Sequence, residues 1–167
     1  MSRAVLSLGS NLGDRLGYLT LAVEYFREVL VSVSGVYETK PWGVKDQDDF
    51  LNAVCVVDDP SRDQWDWLAS AQNLEAMAHR VRERRWGPRT LDVDIITVDD
   101  IQQNDPRLTL PHPRAADRAF VLIPWLEIEP RAELVGLGLV RDLCENLPWN
   151  ERKTVRLQQD LSLRNRS

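Results

Sequence analysis

The sequence predicts an α+β fold: an antiparallel sheet layered against two amphipathic helices, with further helices toward the C-terminus. Three observations predict it. Apolar residues recur at three- and four-residue steps from Leu16 to Leu30 and from Trp65 to Ala78, the period of a helix with one buried stripe. Short runs rich in β-branched residues flank both stretches, and such runs read as strands. Glycine, proline, asparagine and aspartate cluster between them and supply turns.

Taken in order, Ala4–Leu8 is the first predicted strand, and Gly9–Asp14 is a turn whose last residue is suited to cap a helix. The first helix buries Leu16, Leu19, Val23, Phe26 and Leu30. Val31–Tyr37 is the second strand, Thr39–Asp49 a loop, and Phe50–Val57 the third strand. Pro60 and Ser61 open the second helix, with Trp65, Leu68, Ala71, Leu74 and Ala78 on one stripe. Gly87 and Pro88 force a turn, and Thr90–Val98 is the fourth strand. The order βαββαβ is that of the ferredoxin-like fold. Helices are predicted over Arg118–Ile128 and Leu139–Leu147, within a stretch punctuated by prolines. Residues 149–167 form a polar tail in which Thr154–Leu157 offers an added edge strand. The whole of 1–167 is read as a single domain.

Composition narrows the function. With 43% hydrophobic and 28% charged residues, the chain is an ordinary globular protein. No apolar run approaches the roughly 20 residues that span a bilayer, and the N-terminus lacks a signal-peptide pattern, so the cytoplasm is expected. A net charge of -5 argues against a nucleic-acid binder. Cys55 and Cys144, far apart, are expected as reduced thiols, and with only His79 and His112 for imidazole no zinc cluster is expected.

The most informative segment is Arg80–Ile96. It crowds Arg80, Arg82, Arg84, Arg85 and Arg89 ahead of Asp92 and Asp94. Side chains alternate along a strand, so Asp92 and Asp94 share a face. Adjacent carboxylates repel, and a hard divalent cation shared with phosphate oxygens relieves that repulsion. Guanidinium groups bind the same phosphates in bidentate fashion. Alone, a D-x-D is more often a solvated strand face, and an arginine run more often a solvated helix face. Their adjacency, with Trp86 between them, favours phosphoryl-transfer chemistry.

Other motifs are weaker. Gly9–Asp14 lacks the G-K-[ST] ending of a phosphate loop, and Gly136 and Gly138 do not extend to G-x-G-x-x-G. These glycines are read as turn residues. Phe50 and Asn52 share a strand face and suit a heterocycle, the ring for stacking and the amide for reading an edge. Taken alone, they read better as a core phenylalanine and a turn-capping asparagine. Leu110–Arg114 sets His112 and Arg114 on a proline-stiffened loop ahead of Arg118 and Phe120.

In order, G-S-N-L-G-D, Y-E-T-K-P-W-G, F-L-N-A-V, R-x-R-x-x-R-W-G-P-R-T-L-D-V-D-I, L-P-H-P-R and R-A-F-V-L run from Ser7 to about Pro130. Together they resemble the 6-hydroxymethyl-7,8-dihydropterin pyrophosphokinase family of folate biosynthesis. The resemblance implies a ferredoxin-like enzyme that moves pyrophosphate from ATP to the pterin hydroxymethyl group, releasing AMP. It implies two Mg2+ ions held by Asp92 and Asp94, and a catalytic loop carrying Arg80 and Arg82. It implies ATP contacts from Gln72, Glu75, Arg85, Arg89, His112 and Arg118. It implies a pterin pocket of Thr39, Pro41, Trp42, Phe50, Asn52, Trp86 and Phe120, reversing the local reading of Phe50 and Asn52. It further implies a monomer working on small molecules. His79 stands where the family usually has glycine, and Lys40 at a variable position. A nucleotidyltransferase is disfavoured because Ser10 and Asp92 lie far apart. An RNA-binding domain is disfavoured by the absence of aromatic RNP signatures and by the acidic balance.

Overall fold

The computed structural model describes residues 2–40, 47–78 and 90–164. In chain order the elements are β1 (Arg3–Ser10), α1 (Arg15–Tyr25), a 3-10 turn (Arg27–Val29), β2 (Leu30–Val33), β3 (Tyr37–Thr39), β4 (Phe50–Asp58), α2 (Gln64–Met77) and β5 (Asp92–Val98). There follow β6 (Gln103–Asp105), β7 (Leu108–Leu110), a 3-10 turn (Ala115–Asp117), α3 (Ala119–Ile128), β8 (Glu133–Leu134), β9 (Gly138–Leu139), α4 (Val140–Glu145), α5 (Trp149–Arg152) and β10 (Arg156–Leu157). The main sheet runs β10–β3–β4–β1–β5, with β2 also on β4, and every pairing is antiparallel. This is the ferredoxin-like order expected from the sequence.

Alternation along the central strands fills two cores. Ala4, Leu6 and Leu8 of β1 pack with Leu19 and Ala22 of α1 and with Trp67, Ala71 and Leu74 of α2. Val5, Val54, Val56 and Ile96 pack instead with Val121, Leu122 and Trp125 of α3 and with Val140 of α4. The helices beyond the βαββαβ unit therefore form a second layer on the other face. A sheet covered on both sides explains why β1 and β4 are buried almost throughout.

Several local details differ from expectation. The predicted strand Val31–Tyr37 is split. Val33 lies opposite Cys55 and Tyr37 opposite Asn52, so Ser34, Gly35 and Val36 face only Ala53 and Val54, which makes a bulge. Ser34 rescues the ladder there: its N–H donates to the Val54 carbonyl at 2.9 Å, and its Oγ accepts from the Val54 N–H at 2.9 Å. Helix α2 starts at Gln64 rather than at Pro60, because Asp63 and Asp66 form a capping box. Asp59 accepts from the Ser61 N–H and hydroxyl, holding the preceding residues in a turn. The stripe on α2 centres on Trp67, fully buried, with Trp65 only partly so. Trp67 Nε1 donates to Ser2 Oγ at 2.9 Å. The β6–β7 and β8–β9 ribbons lie, apart from Leu139, outside the predicted helices, where no strand was expected, and the predicted helix Leu139–Leu147 contracts to α4. At the far edge, Arg156 lies opposite Glu38 and Leu157 opposite Tyr37. Among the described residues, no helix is long and apolar enough to cross a membrane.

Replacing Ser34 with alanine strands a buried Val54 N–H. A loss of about 1–3 kcal/mol is expected, measured as a lower urea midpoint at unchanged slope; an unaltered midpoint would mean that water replaces the hydroxyl.

Candidate active site

The alternation that sends Leu6 and Leu8 under α1 and α2 turns Ser7 and Gly9 to the face bearing α3. Gly9 lies opposite Asn52 on β4 and opposite Asp92 on β5, while Ser7 lies opposite Val54 and Asp94. Thr39 lies opposite Phe50. Paired residues in an antiparallel ladder share a face. Thr39, Phe50, Asn52, Gly9, Asp92 and Asp94 therefore occupy one face, and Asn52, Gly9 and Asp92 form a row across three strands.

One end of the row is built for shape. Asn52 and Thr39, each 3% exposed, are joined by a bond from Asn52 Nδ2 to Thr39 Oγ1 at 2.6 Å. Asn52 thus sits mid-strand and does not cap a turn. Phe50 is half-buried beside it. A Cβ at Gly9 would stand 3.0 Å from Asn52 Oδ1 and 3.4 Å from Phe50 Cδ1. Gly9 is thus a strand residue whose missing side chain lets the amide and the ring approach, which corrects its reading as a turn glycine. Gly13, at φ 76°, does serve the turn.

The other end is electrostatic. The Arg118 guanidinium lies 3.7 Å from Asp94 Oδ2, with its side chain only 13% exposed. It also stands 5.4 Å from the centre of the Phe120 ring. Burial pulls the Arg118 pKa below its ordinary value, and Asp94 acts in the opposite direction. Strand β5 ends the sheet, so some of its backbone N–H groups point off the edge. Glu75, 8% exposed on α2, accepts from the Val93 N–H at 3.1 Å. That bond holds the strand between the two aspartates.

His112 joins them through a bulge. Val5 lies opposite Thr97 and Leu6 opposite Ile95, so the register skips Ile96; the Ile96 carbonyl accepts from the His112 N–H at 2.8 Å. Burial, with the Arg118 and Arg114 guanidinium groups nearby, pushes the imidazole down to about 4. It is neutral at physiological pH. Its Nδ1 accepts from the Arg114 N–H at 3.2 Å, so the proton resides on Nε2, which is left as a donor.

Eight of the residues singled out from the sequence thus meet on or beside one face: Thr39, Phe50, Asn52, Asp92, Asp94, His112, Arg118 and Phe120. Glu75 supports them from the edge of β5, whereas Gln72, one turn earlier on α2, is exposed. Lys40 is exposed next to Thr39. Pro41, Trp42, Arg80, Arg82, Arg85, Trp86 and Arg89, with His79, lie outside the described residues. Gly9, read from the sequence as a turn residue, is part of the site, and Arg114 joins it through the His112 loop. Period-two counting from Ala4 would have put Gly9 on the face opposite Leu8.

A model of the 7,8-dihydro-6-hydroxymethylpterin-pyrophosphokinase (HPPK) family matches residues 5–130. The chain belongs to the HPPK family. It is a transferase of the pyrophosphokinase class. A Mycobacterium leprae protein named 2-amino-4-hydroxy-6-hydroxymethyldihydropteridine pyrophosphokinase is 48% identical over 170 residues, 94% of this chain and 89% of its own. A Mycobacterium tuberculosis protein of the same name is 44% identical over 169 residues, 94% of this chain and 90% of its own. Among solved structures, wild-type HPPK-DHPS of Plasmodium falciparum with SDX-DHP superposes with a TM-score of 0.65 at 16% identity, over 87% of this chain. This HPPK chain spans 43% of that longer protein, and the likeness supports the ferredoxin-like fold.

The imidazole titration has a stability consequence. Its folded pKa of about 4 lies below the ordinary 6.5, so its contribution is complete above pH 6.5 and is lost as pH falls toward 4. His112→Gln is expected to show a shallower fall of Tm than the wild type over that window. Parallel Tm profiles would contradict the depressed pKa.

Proposed function

We propose that this protein transfers the terminal pyrophosphate of ATP to the hydroxymethyl oxygen of 6-hydroxymethyl-7,8-dihydropterin, giving the pterin diphosphate and AMP in folate biosynthesis. The observation that carries this reading is the Asn52–Gly9–Asp92 row. It sets a buried amide two strand spacings, roughly 10 Å, from a carboxylate pair on the same face. A planar heterocycle read at one end and reacting at the other fits that gap. The names of the relatives support the substrate.

Phe50 and Phe120 sandwich the pterin ring, and Asn52, oriented by Thr39, reads its edge. Arg118 keeps its charge although largely out of water, which suits it to hold a triphosphate in bidentate fashion. His112 adds a neutral N–H donor from Nε2. Asp92 and Asp94 are a hard, all-oxygen donor pair and would hold two Mg2+ ions together with phosphate oxygens. When bound, the ions neutralise phosphate charge and align the reacting atoms. The hydroxymethyl oxygen bonds to the β-phosphorus as the bond from that phosphorus to the α–β bridging oxygen breaks. The electron pair leaves with AMP, and the hydroxyl proton goes to solvent. With no general base assigned at the acceptor oxygen, metal polarisation and positioning together would supply most of the rate. In this reading the enzyme is a cytoplasmic monomer acting on two small molecules.

The deciding experiment is a product assay with ATP, Mg2+ and the pterin. AMP formed only with pterin present, together with the pterin diphosphate, supports the reaction; ADP, or no pterin-dependent turnover in folded protein, overturns it. Asp92→Asn and Asp94→Asn are each expected to lower kcat by more than about 100-fold, beyond the loss of a metal's outer-shell support, with Tm retained. Gly9→Ala is expected to raise KM for the pterin while leaving KM for ATP near its wild-type value. Steady-state kinetics on the three variants checks both expectations.

A further inference from the structure

The C-terminal segment lies beyond the family match, which ends at residue 130, yet it is fastened to the sheet edge that carries Thr39 and Phe50. Strand β10 pairs with β3, and the Gln158 N–H donates to the Val36 carbonyl at 2.8 Å. Arg156 Nη2 donates to Glu38 Oε1 at 3.3 Å and to Asp49 Oδ2 at 3.0 Å. From the other end of the chain, Arg15 Nη1 donates to Glu38 Oε2 at 3.4 Å and to the Asp49 carbonyl at 2.7 Å. Two guanidinium groups thus grip two acids, Glu38 immediately before Thr39 and Asp49 immediately before Phe50.

The position of that grip matters. Thr39 opposite Phe50 is the last pair of the β3–β4 ladder, and ladder ends open readily unless side chains hold them. Glu38 alternates with Thr39, so its side chain lies on the reverse face, away from the ligand side. Without the guanidinium groups, the Glu38 and Asp49 carboxylates would repel across the junction. Resting on the function proposed above, we propose that Arg156 is a positioning residue for the pterin end of the site: it fixes the spacing of Thr39 from Phe50 and Asn52 without touching the substrate.

The test uses the full chain carrying Arg156→Gln, Arg156→Glu or Arg156→Lys. Exposed ion pairs are individually weak, so Arg156→Gln is expected to raise KM for the pterin only about threefold. Arg156→Glu adds repulsion and is expected to raise it about tenfold, with KM for ATP changed less than about twofold. Both bonds come from one nitrogen, a position that an ammonium can take, so Arg156→Lys is expected to restore wild-type KM. Amide exchange of the Tyr37–Thr39 segment is expected to quicken in Arg156→Glu. An unchanged pterin KM in Arg156→Glu, equal shifts for both substrates, or a lower Tm with KM unaltered would overturn the proposal. A wild type without pterin-dependent turnover would sink the proposed reaction; the exchange measurement would then decide for or against the clamp by itself.

Discussion

The double register of β1 is the constraint on which the rest of the site depends. One strand, paired on both sides, brings Asn52 and Asp92 to the same residue, Gly9. A slip of one residue on either side would turn the amide or the carboxylates into the core beneath α1 and α2. Packing resists such a slip, since Ala4, Leu6 and Leu8 fill the face of β1 beneath α1 and α2 and Val5 anchors the other face under α3. Functional spacing and hydrophobic packing are therefore set by the same pairing, and the absence of a side chain at Gly9 turns that pairing into usable space.

Electrostatics then divides the face. Beyond the reach of the α3 core the groups become polar, and each has a stated support. Glu75 holds the β5 backbone between the aspartates, the Ile96 bulge delivers His112, and Arg118 lies against Asp94. A buried guanidinium beside carboxylates is costly in water-poor surroundings. In the function proposed above, that cost is offset when a nucleoside triphosphate and its metal share the charges.

Much of the fold was legible in the chain because it is written in local periods. The helical steps of α1 and α2 and the alternation of Asp92 and Asp94 need no knowledge of distant residues. Asn52 was different: its neighbours favour a turn cap, and only its pairing with Gly9 and its bond to Thr39 put it mid-strand in the site. The Glu75–Val93 bond and the Arg156 grip are likewise tertiary, and no spacing announces them. Ser34 misled for another reason, since a hydroxyl standing in for a ladder carbonyl hides a bulge inside an apolar run. The β6–β7 and β8–β9 ribbons are too short for a period to emerge, and on α2 the tryptophan two residues from Trp65 is the one that fills the core.

In the proposed function, the sheet register holds the pterin with its hydroxymethyl arm at the carboxylate pair and its ring edge at Asn52. Paramagnetic relaxation tests it most directly, with Mn2+ in place of Mg2+ and the pterin bound beside a non-hydrolysable ATP analogue. The hydroxymethyl protons should relax fastest, with the effect fading toward the ring edge, and Asp94→Asn should abolish the gradient. A uniform effect along the pterin, or the strongest effect at the ring edge, would contradict the account.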